Sequence, residues 1–570
     1  MKTLETVLQS MRITQPNHLP IAAAFCHRIG LAETIKRVVP TQMEVDVGTI
    51  VQAMVLDTLS GRSPLYRLAD FFEHQDTELL LGRQIPCSAF NDTTVGRAMD
   101  AIFEAGASKL FSEVAFQACR RFPLDMARVH FDTTSISLWG NYDLCSPDSE
   151  KLNITYGHSK DHRPDLKQFL IKMLCVERNI PIIGACDDGN ASDKSLNNGL
   201  LTRISSHMAR HGLSAGAFLY VADSAMVTEE NLKAIGKNAF VTRLPFSYKE
   251  ASRVVAEAVR QGCWEPIGTL NETPSTTKRP PTQYSIAEKT VTLYDQAYRA
   301  VAVHSTAHDR RRLKRIEREI RHCETALGKL LAEETKREYF CVADAQAAAS
   351  RLRQSGAQLH RIETSLTEKV RYARGRPRKN APRKIASVRY LVDASVVENT
   401  DQVKRKREEA GCFVLLTNVP LKGETAHSGA DLLRAYKDQQ GIEHNYSFLK
   451  DPLIVNDTFL KKPERIEVLG AILLMALLIW NLIEHVLRQY VAQRDVELPG
   501  WDNKSTRRPT AFMMSTKFLG LQVMRVGALC RLANPLTPVQ HRFLEALGLA
   551  ESHLLMPSSA ADCAQKKPPP

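Results

Sequence analysis

Four side chains in the C-terminal third of the chain are spaced for joint chemistry: Tyr436, Gln439, Glu443 and Lys450. At about 100° per residue they project from one stripe of a single helix, so a ring, an amide, a carboxylate and an ammonium face the same partner. A carboxylate placed in this way can hold a divalent cation while the groups above and below it grip a polyanion. Two acids upstream fit the same chemistry. Asp132 stands in the middle of the β-rich run 128–139, where strand propensity disfavours it. Asp223 ends the short apolar run 217–223. Asp187, Asp188 and Asp193 also lie near a strand end and read as loop acids.

The helical stripe resembles the Tyr-x2-Arg-x3-Glu-x6-Lys signature of a large group of DDE insertion-sequence transposases, with Gln439 standing where that signature has Arg. Residues 131–140, the stretch Tyr156-Gly-His-Ser-Lys-Asp-His-Arg-Pro-Asp-Leu-Lys-Gln168, residues 222–226 and 448–452, and Arg507-Arg-Pro-Thr510 resemble one long-chain family within that group. The resemblance implies an α/β protein with a ribonuclease H-like core, a mixed sheet flanked by helices, whose first acid lies on the first strand and second just after the fourth. It assigns catalysis and metal binding to Asp132, Asp223 and Glu443, with two Mg2+ ions per site and Mn2+ as a substitute, since hard cations take oxygen ligands. Tyr436, Gln439 and Lys450 become phosphate contacts, and Gln439, a neutral amide, grips a phosphate less strongly than the Arg it replaces. The implied activity is metal-dependent cleavage of insertion-sequence ends and joining of the 3′ ends to target DNA. The implied partners are double-stranded DNA, as terminal inverted repeats and target, and a second copy of the chain in the synaptic complex. A non-cutting DNA-binding descendant and a metal-dependent nuclease without strand transfer are the alternatives.

Elements must position these acids. Apolar runs at 167–177 and 180–186 follow the Asp132 run as an antiparallel meander, a helix is expected over 192–211, Thr228 reads as a helix N-cap, and 240–245 is a fifth strand. The order is β-β-β-α-β-α-β. Residues 1–125 read as a helical domain for terminal-repeat binding, 126–245 as the first part of the core and 246–424 as an α+β insertion. Residues 425–495 read as the second part with the catalytic helix, 496–556 as a C-terminal helical region and 557–570 as a disordered tail.

Within the insertion, Leu313, Ile316, Ile320, Cys323, Leu327 and Leu330 recur at spacings of three and four, a coiled-coil seam, and a second helix over about 344–370 is expected to pack on it as a hairpin. The basic stretch 371–379, with Arg374 and Arg376 around a Gly-Arg-Pro core, resembles an AT-hook that could lie in an A·T-rich minor groove. A solvated basic linker is the plain alternative.

A net charge of +13 in 570 residues favours a polyanionic partner. The twelve cysteines show no zinc or disulfide spacing, and residues 1–11 lack an apolar signal core, so a cytoplasmic, reducing compartment is expected, and the resemblance implies a nucleoid-associated protein of bacterial type. The longest apolar run, 468–483, is shorter than the roughly 20 residues that a bilayer requires and reads as a helix buried on the sheet. No phosphate loop suggests ATP.

Overall fold

The computed structural model describes residues 11–61, 67–142, 151–210, 212–214, 216–270, 281–375, 382–423, 425–451, 460–527 and 529–565. The chain forms two units: Met1–Thr242 with Ala435–Pro570, and Arg243–Arg434. The first unit combines helices with a mixed sheet. Its leading helices are α1 (Leu19–Ile29), α2 (Leu31–Val38), α3 (Val47–Leu59), α4 (Asp92–Ala105) and α5 (Ala107–Arg121). Side-chain caps start two of them, Asp46 accepting from Thr49 N and Asn91 from Thr94 N, as short oxygen-bearing side chains do at orphan N–H groups.

The sheet follows: β1 (Arg128–Leu138), β2 (Lys167–Val176), β3 (Ile180–Asp187), α6 (Asp193–Arg210), β4 (Leu219–Val221), α7 (Glu229–Ala234) and β5 (Ala239–Leu244). The strands lie in the order β3-β2-β1-β4-β5. β1, β2 and β3 pair antiparallel, and β4 pairs parallel with β1 and β5. The element order matches the β-β-β-α-β-α-β expectation, and Thr228 caps α7 by accepting from Asn231 N.

The second unit holds α8 (Lys249–Gln261) and an antiparallel set β6 (Glu265–Thr269), β7 (Gln283–Leu293), β8 (Gln296–Ser305) and β12 (Cys412–Thr417). Between β8 and β12 come α9 (Thr306–Glu334), β9 (Glu338–Tyr339), α10 (Val342–Gln354) and a long ribbon of β10 (His360–Tyr372) with β11 (Ile385–Glu398). The expected second helix over 344–370 is therefore wrong beyond Gln354. The β-branched and alternating residues of HRIETSLTEKVRY follow a period of two, and the ribbon pairing satisfies their backbone. The seam of α9 buries Ile316, Ile320 and Leu327 as expected, but against α10, Ile362, Val392, Leu359 and Val403; Leu331 takes the buried place expected of Leu330, which is exposed.

The chain returns to the first unit within α11 (Gly429–Asp438), at Ala435, and continues as α12 (Gln440–Leu449) and α13 (Pro463–Arg494). Helix α13 is long and apolar enough to cross a bilayer, yet 89% of its apolar window is buried inside the protein. It packs on β3, where Gly470 leaves room for Cys186, and on α1, α3, α4 and α5. The leading helices share this packing with the sheet, and Ser108 Oγ of α5 donates to Gly184 O of β3 at 3.0 Å.

Three boundaries differ from the reading above. Met11–Thr14 is a strand paired with Val523–Val526, which in turn pairs with Leu529–Leu532, so neither the leading nor the C-terminal region is wholly helical. Ser558–Gln565, expected to be disordered, is a helix. Its Asp562 Oδ1 lies 3.1 Å from His553 Nε2 and its Oδ2 3.1 Å from His27 Nδ1, contacts that no periodicity announces.

Candidate active site

Strand register brings the first two acids together. Parallel pairing of β1 with β4 sets His130 opposite Val221, and each acid lies two residues further on, so Asp132 and Asp223 are level on neighbouring strands. Asp223 ends its strand because its carboxylate accepts from Ala225 N at 3.0 Å, capping the turn Ser224–Met226. Thr242 Oγ1 donates to Asp223 O at 2.6 Å and holds the turn against β5. Burial pushes the Asp132 carboxyl up to about 7, with the Lys160 ammonium and the Thr133 N–H opposing and the nearby Asp223 and Asp193 charges adding to it. Burial likewise raises Asp223, and the Asp193 charge adds to it.

Asp193 is the acid that pattern reading misplaced. It is the first residue of α6 rather than a loop residue, and its Oδ1 accepts from Thr133 Oγ1. An Asp opening a helix three residues after a turn was a visible signal, because a carboxylate suits a helix N-terminus. The second unforeseen member is Lys160. Its Nζ donates to Thr133 O at 2.6 Å and Thr133 Oγ1 at 2.7 Å, and lies 3.8 Å from Asp132 Oδ1 and 3.6 Å from Asp193 Oδ1.

The family-like stretch Tyr156–Gln168 is what threads Lys160 into place. Thr155 pairs with Gln168, and Gln168 Nε2 donates to Gly189 O at 2.7 Å. A Cβ on Gly157 would strike Gly189 O, and one on Gly189 would strike Gln168 O, so this crossing admits only glycine at both. Lys160 N donates to Ser135 Oγ at 3.1 Å, while Ser159 Oγ accepts from Arg163 N at 3.2 Å. Arg163 closes the loop with a two-pronged pair to Asp165 at 2.8 and 2.7 Å, its guanidinium 5.1 Å from the Trp139 ring.

The expected single helix over 436–450 is two helices joined at Gln439. Gln439 N meets Tyr436 O at 3.4 Å and Ile442 N meets Gln439 O at 3.0 Å, so three-residue bonds tighten the joint and the stripe is not straight. Tyr436 and Gln439 are half-buried at this joint. α12 is seated by an amide network: Asn445 Nδ2 and Asn481 Nδ2 both donate to Asn179 O at 2.7 Å, and Asn481 Nδ2 also donates to Asn445 Oδ1 at 2.9 Å. Gly441 lets it rest on the β2–β3 turn, where a Cβ would come within 2.5 Å of Arg178 O. Asp438 adds ion pairs to Arg128 at 3.4 Å and Arg178 at 3.2 Å.

From α12 it is Tyr446 that reaches the acids. Its hydroxyl is buried without a hydrogen-bond partner among the described residues. Burial first, then the charges of Asp132, Cys175, Asp193 and Asp223, hold its pKa well above the usual phenol range. Glu443 lies one turn before Tyr446, and positions three apart on a helix share a face. Its side chain is exposed, and among the described residues its carboxylate makes no hydrogen bond or ion pair. Lys450, expected at phosphate, is paired with Asp161, next to Lys160. The structure thus joins Asp132 with Asp223 and does not join Glu443 to them. No three His, Cys, Asp or Glu side chains among the described residues close around a metal position, and the Lys160 ammonium stands 3.8 Å from Asp132 Oδ1 and 3.6 Å from Asp193 Oδ1.

Comparison with known families places one part of the chain. Residues 9–116 match the Domain of unknown function (DUF4277). No curated protein matches the chain. The matched region holds α1 to α4 and part of α5; every acid of the cluster lies beyond it. Of the basic stretch assigned to DNA, Arg374 is exposed next to the end of β10, and Arg376 lies outside the described residues.

Proposed function

We propose that the protein is a DDE transposase that cuts insertion-sequence ends and joins them to target DNA. The observation that carries this reading is the β1–β4 register, which sets Asp132, inside β1, level with Asp223, two residues past the end of β4. The strand order β3-β2-β1-β4-β5, with three antiparallel strands and two parallel ones, supports a ribonuclease H-like core. The return of the chain from the Arg243–Arg434 unit just before α12 supports an insertion between the second and third acids.

The oxygen-rich donor set of Asp132, Asp223 and neighbouring Asp193, with the unpartnered Tyr446 hydroxyl, suits hard divalent cations. Asp132 and Asp223 would hold Mg2+ or Mn2+, with Glu443 as the third carboxylate. Bound there, such ions supply activation of the attacking oxygen and charge neutralisation at the leaving 3′ oxygen. The chain's own part is positioning. The Asn179–Asn445–Asn481 network holds α12 on the sheet, and to serve there Glu443 would have to turn its exposed carboxylate towards the acids. Lys450 is free to meet a phosphate once Asp161 releases it. Tyr436 and Gln439 flank that phosphate path at the helix joint, and exposed Arg374 offers a second DNA contact on the other unit.

Purified protein with labelled DNA bearing the inverted repeats that flank its gene, plus Mg2+, tests the proposal. Cleavage and joining are expected, and Asp132→Ala, Asp223→Ala and Glu443→Ala should each abolish both while DNA binding persists. Cleavage without joining would favour a nuclease, and binding without cleavage a non-cutting descendant. An active Asp223→Ala protein would sink the assignment.

A further inference from the structure

Lys160 has a job that neither hydrogen bonding nor packing alone explains. Its short contacts go to Thr133, yet its charge sits 3.6–3.8 Å from carboxylate oxygens on two different elements, β1 and the start of α6. Neither carboxylate grips it closely, and its side chain is 30% exposed, so it is centred among the acids without being locked to one. Without that ammonium, Asp132, Asp193 and Asp223 would repel one another in a partly desolvated space. The Tyr446 hydroxyl, buried and without a hydrogen-bond partner among the described residues, feels the charges of the same acids, and a buried hydroxyl is costly unless something bonds it.

We propose that Lys160 is a tethered cation that holds the acids together in the metal-free protein and withdraws when a divalent cation enters, and that Asp193 then joins Asp132 and Asp223 as a further carboxylate of that cation site. The proposal rests on the metal-dependent reading above and adds to it a role for Lys160 and a ligand's place for Asp193. Three carboxylates and one ammonium leave room for a divalent charge, which a single ammonium cannot neutralise. Lys160 can leave because it arrives on the loop that precedes β2 rather than on a strand, and because its side chain is partly exposed, so the ammonium can turn towards solvent while Lys450 of α12 keeps the loop anchored at the adjacent Asp161. Withdrawal removes the ammonium from beside Thr133 Oγ1 and Asp193 Oδ1, which stay bonded to each other and keep the Asp193 carboxylate next to β1.

The test uses full-length, metal-free protein and Mn2+ alone, read by calorimetric titration and by thermal melting. Lys160→Met keeps length and removes charge: it should lower the metal-free Tm and tighten Mn2+ binding about tenfold. Asp193→Asn should weaken Mn2+ binding at least tenfold. The double variant Lys160→Met with Asp193→Asn should recover much of the lost Tm, since it removes a repelling charge; this keeps the idea testable if the single lysine variant fails to fold. Unchanged or weaker Mn2+ affinity in Lys160→Met, or unchanged affinity in Asp193→Asn, overturns the proposal, as does an absence of Mn2+ binding in the unaltered protein. Mn2+ binding that follows this pattern in a protein that cuts no DNA would uphold the cation site and refute the transposase reading.

Discussion

Asp132 carries the residue-scale chemistry, because burial lifts its carboxyl to about 7. A proton and a divalent cation compete for the same oxygens, so Mn2+ affinity should fall by up to about tenfold per pH unit below pH 7 and level off above it. Titrations between pH 5.5 and 8 read this directly, and a flat profile would mean that Asp132 does not hold the cation. The same shift has a stability sign. The folded protein binds this proton more tightly than the unfolded chain, so the contribution is full below the ordinary value of 3.8 and is lost as pH rises through about 7. An Asp132→Asn protein, with no such proton to lose, should show a smaller fall in metal-free Tm over that range.

On the transposase reading, two elements govern how the chain would meet DNA. Helix α12 rests on the Arg178 carbonyl through Gly441, and a backbone oxygen cannot step aside as a side-chain tip can. Gly441→Ala should therefore cost about 1–3 kcal/mol, lower Tm and reduce cleavage together; an unchanged Tm would show that the helix does not rest there. The β10–β11 ribbon is the other element. At about 3.3 Å per residue its strands run roughly 40 Å, a length suited to laying a strand pair along a groove. Its basic residues gather at the distal end: Lys369 and Arg371 pair with Glu338 at 2.9 and 3.2 Å, whereas Arg374, Arg383 and Lys384 are exposed. Replacing those three by Ala should weaken duplex binding and flatten its log–log salt dependence by about 2–3, with Tm unchanged. If the slope stays the same, the ribbon end is a solvated basic loop.

Helix α13 is the spine of the first unit, and two buried imidazoles of that unit answer to pH. His18 stands 5.9 Å from the Trp480 ring, and Phe448 of α12 is 5.9 Å from the same ring. Burial lowers His18 from 6.5 to about 4, against the opposing hydrogen bond to Leu59 O. His130 on β1 is lowered to about 4 by burial and by the Arg128 and Arg178 charges. Both imidazoles fold neutral, so the unfolded chain takes up their protons first as pH falls below 6.5. Stability should drop between pH 6.5 and 4, by on the order of 3 kcal/mol for each group. Melting curves over that range should show a smaller loss for His18→Gln; an equal loss would place the acid sensitivity elsewhere.

Period-two apolar runs and a lone Asp in a strand were enough to read β1 to β5 in order and to single out Asp132 and Asp223, because alternation and turn chemistry are local. The apolar run of α13 was legible as a buried helix for the same reason. Contacts set by distant segments were not. The ribbon was mistaken for a helix because its residues also fit a spacing of three and four, and only pairing with residues 385–398 decides between the two. The joint at Gln439 comes from seating α12 on the β2–β3 turn, which no 100° wheel contains. Asp193 and Lys160 lie 61 and 28 residues from Asp132 in the chain, and they meet it because α6 opens beside β1 and a glycine crossing turns the Tyr156–Gln168 loop inward. Sequence sets which groups can carry charge and where strands can form; folding alone decides which charges must share one desolvated space, because that depends on register and on the closeness of backbones remote in the chain.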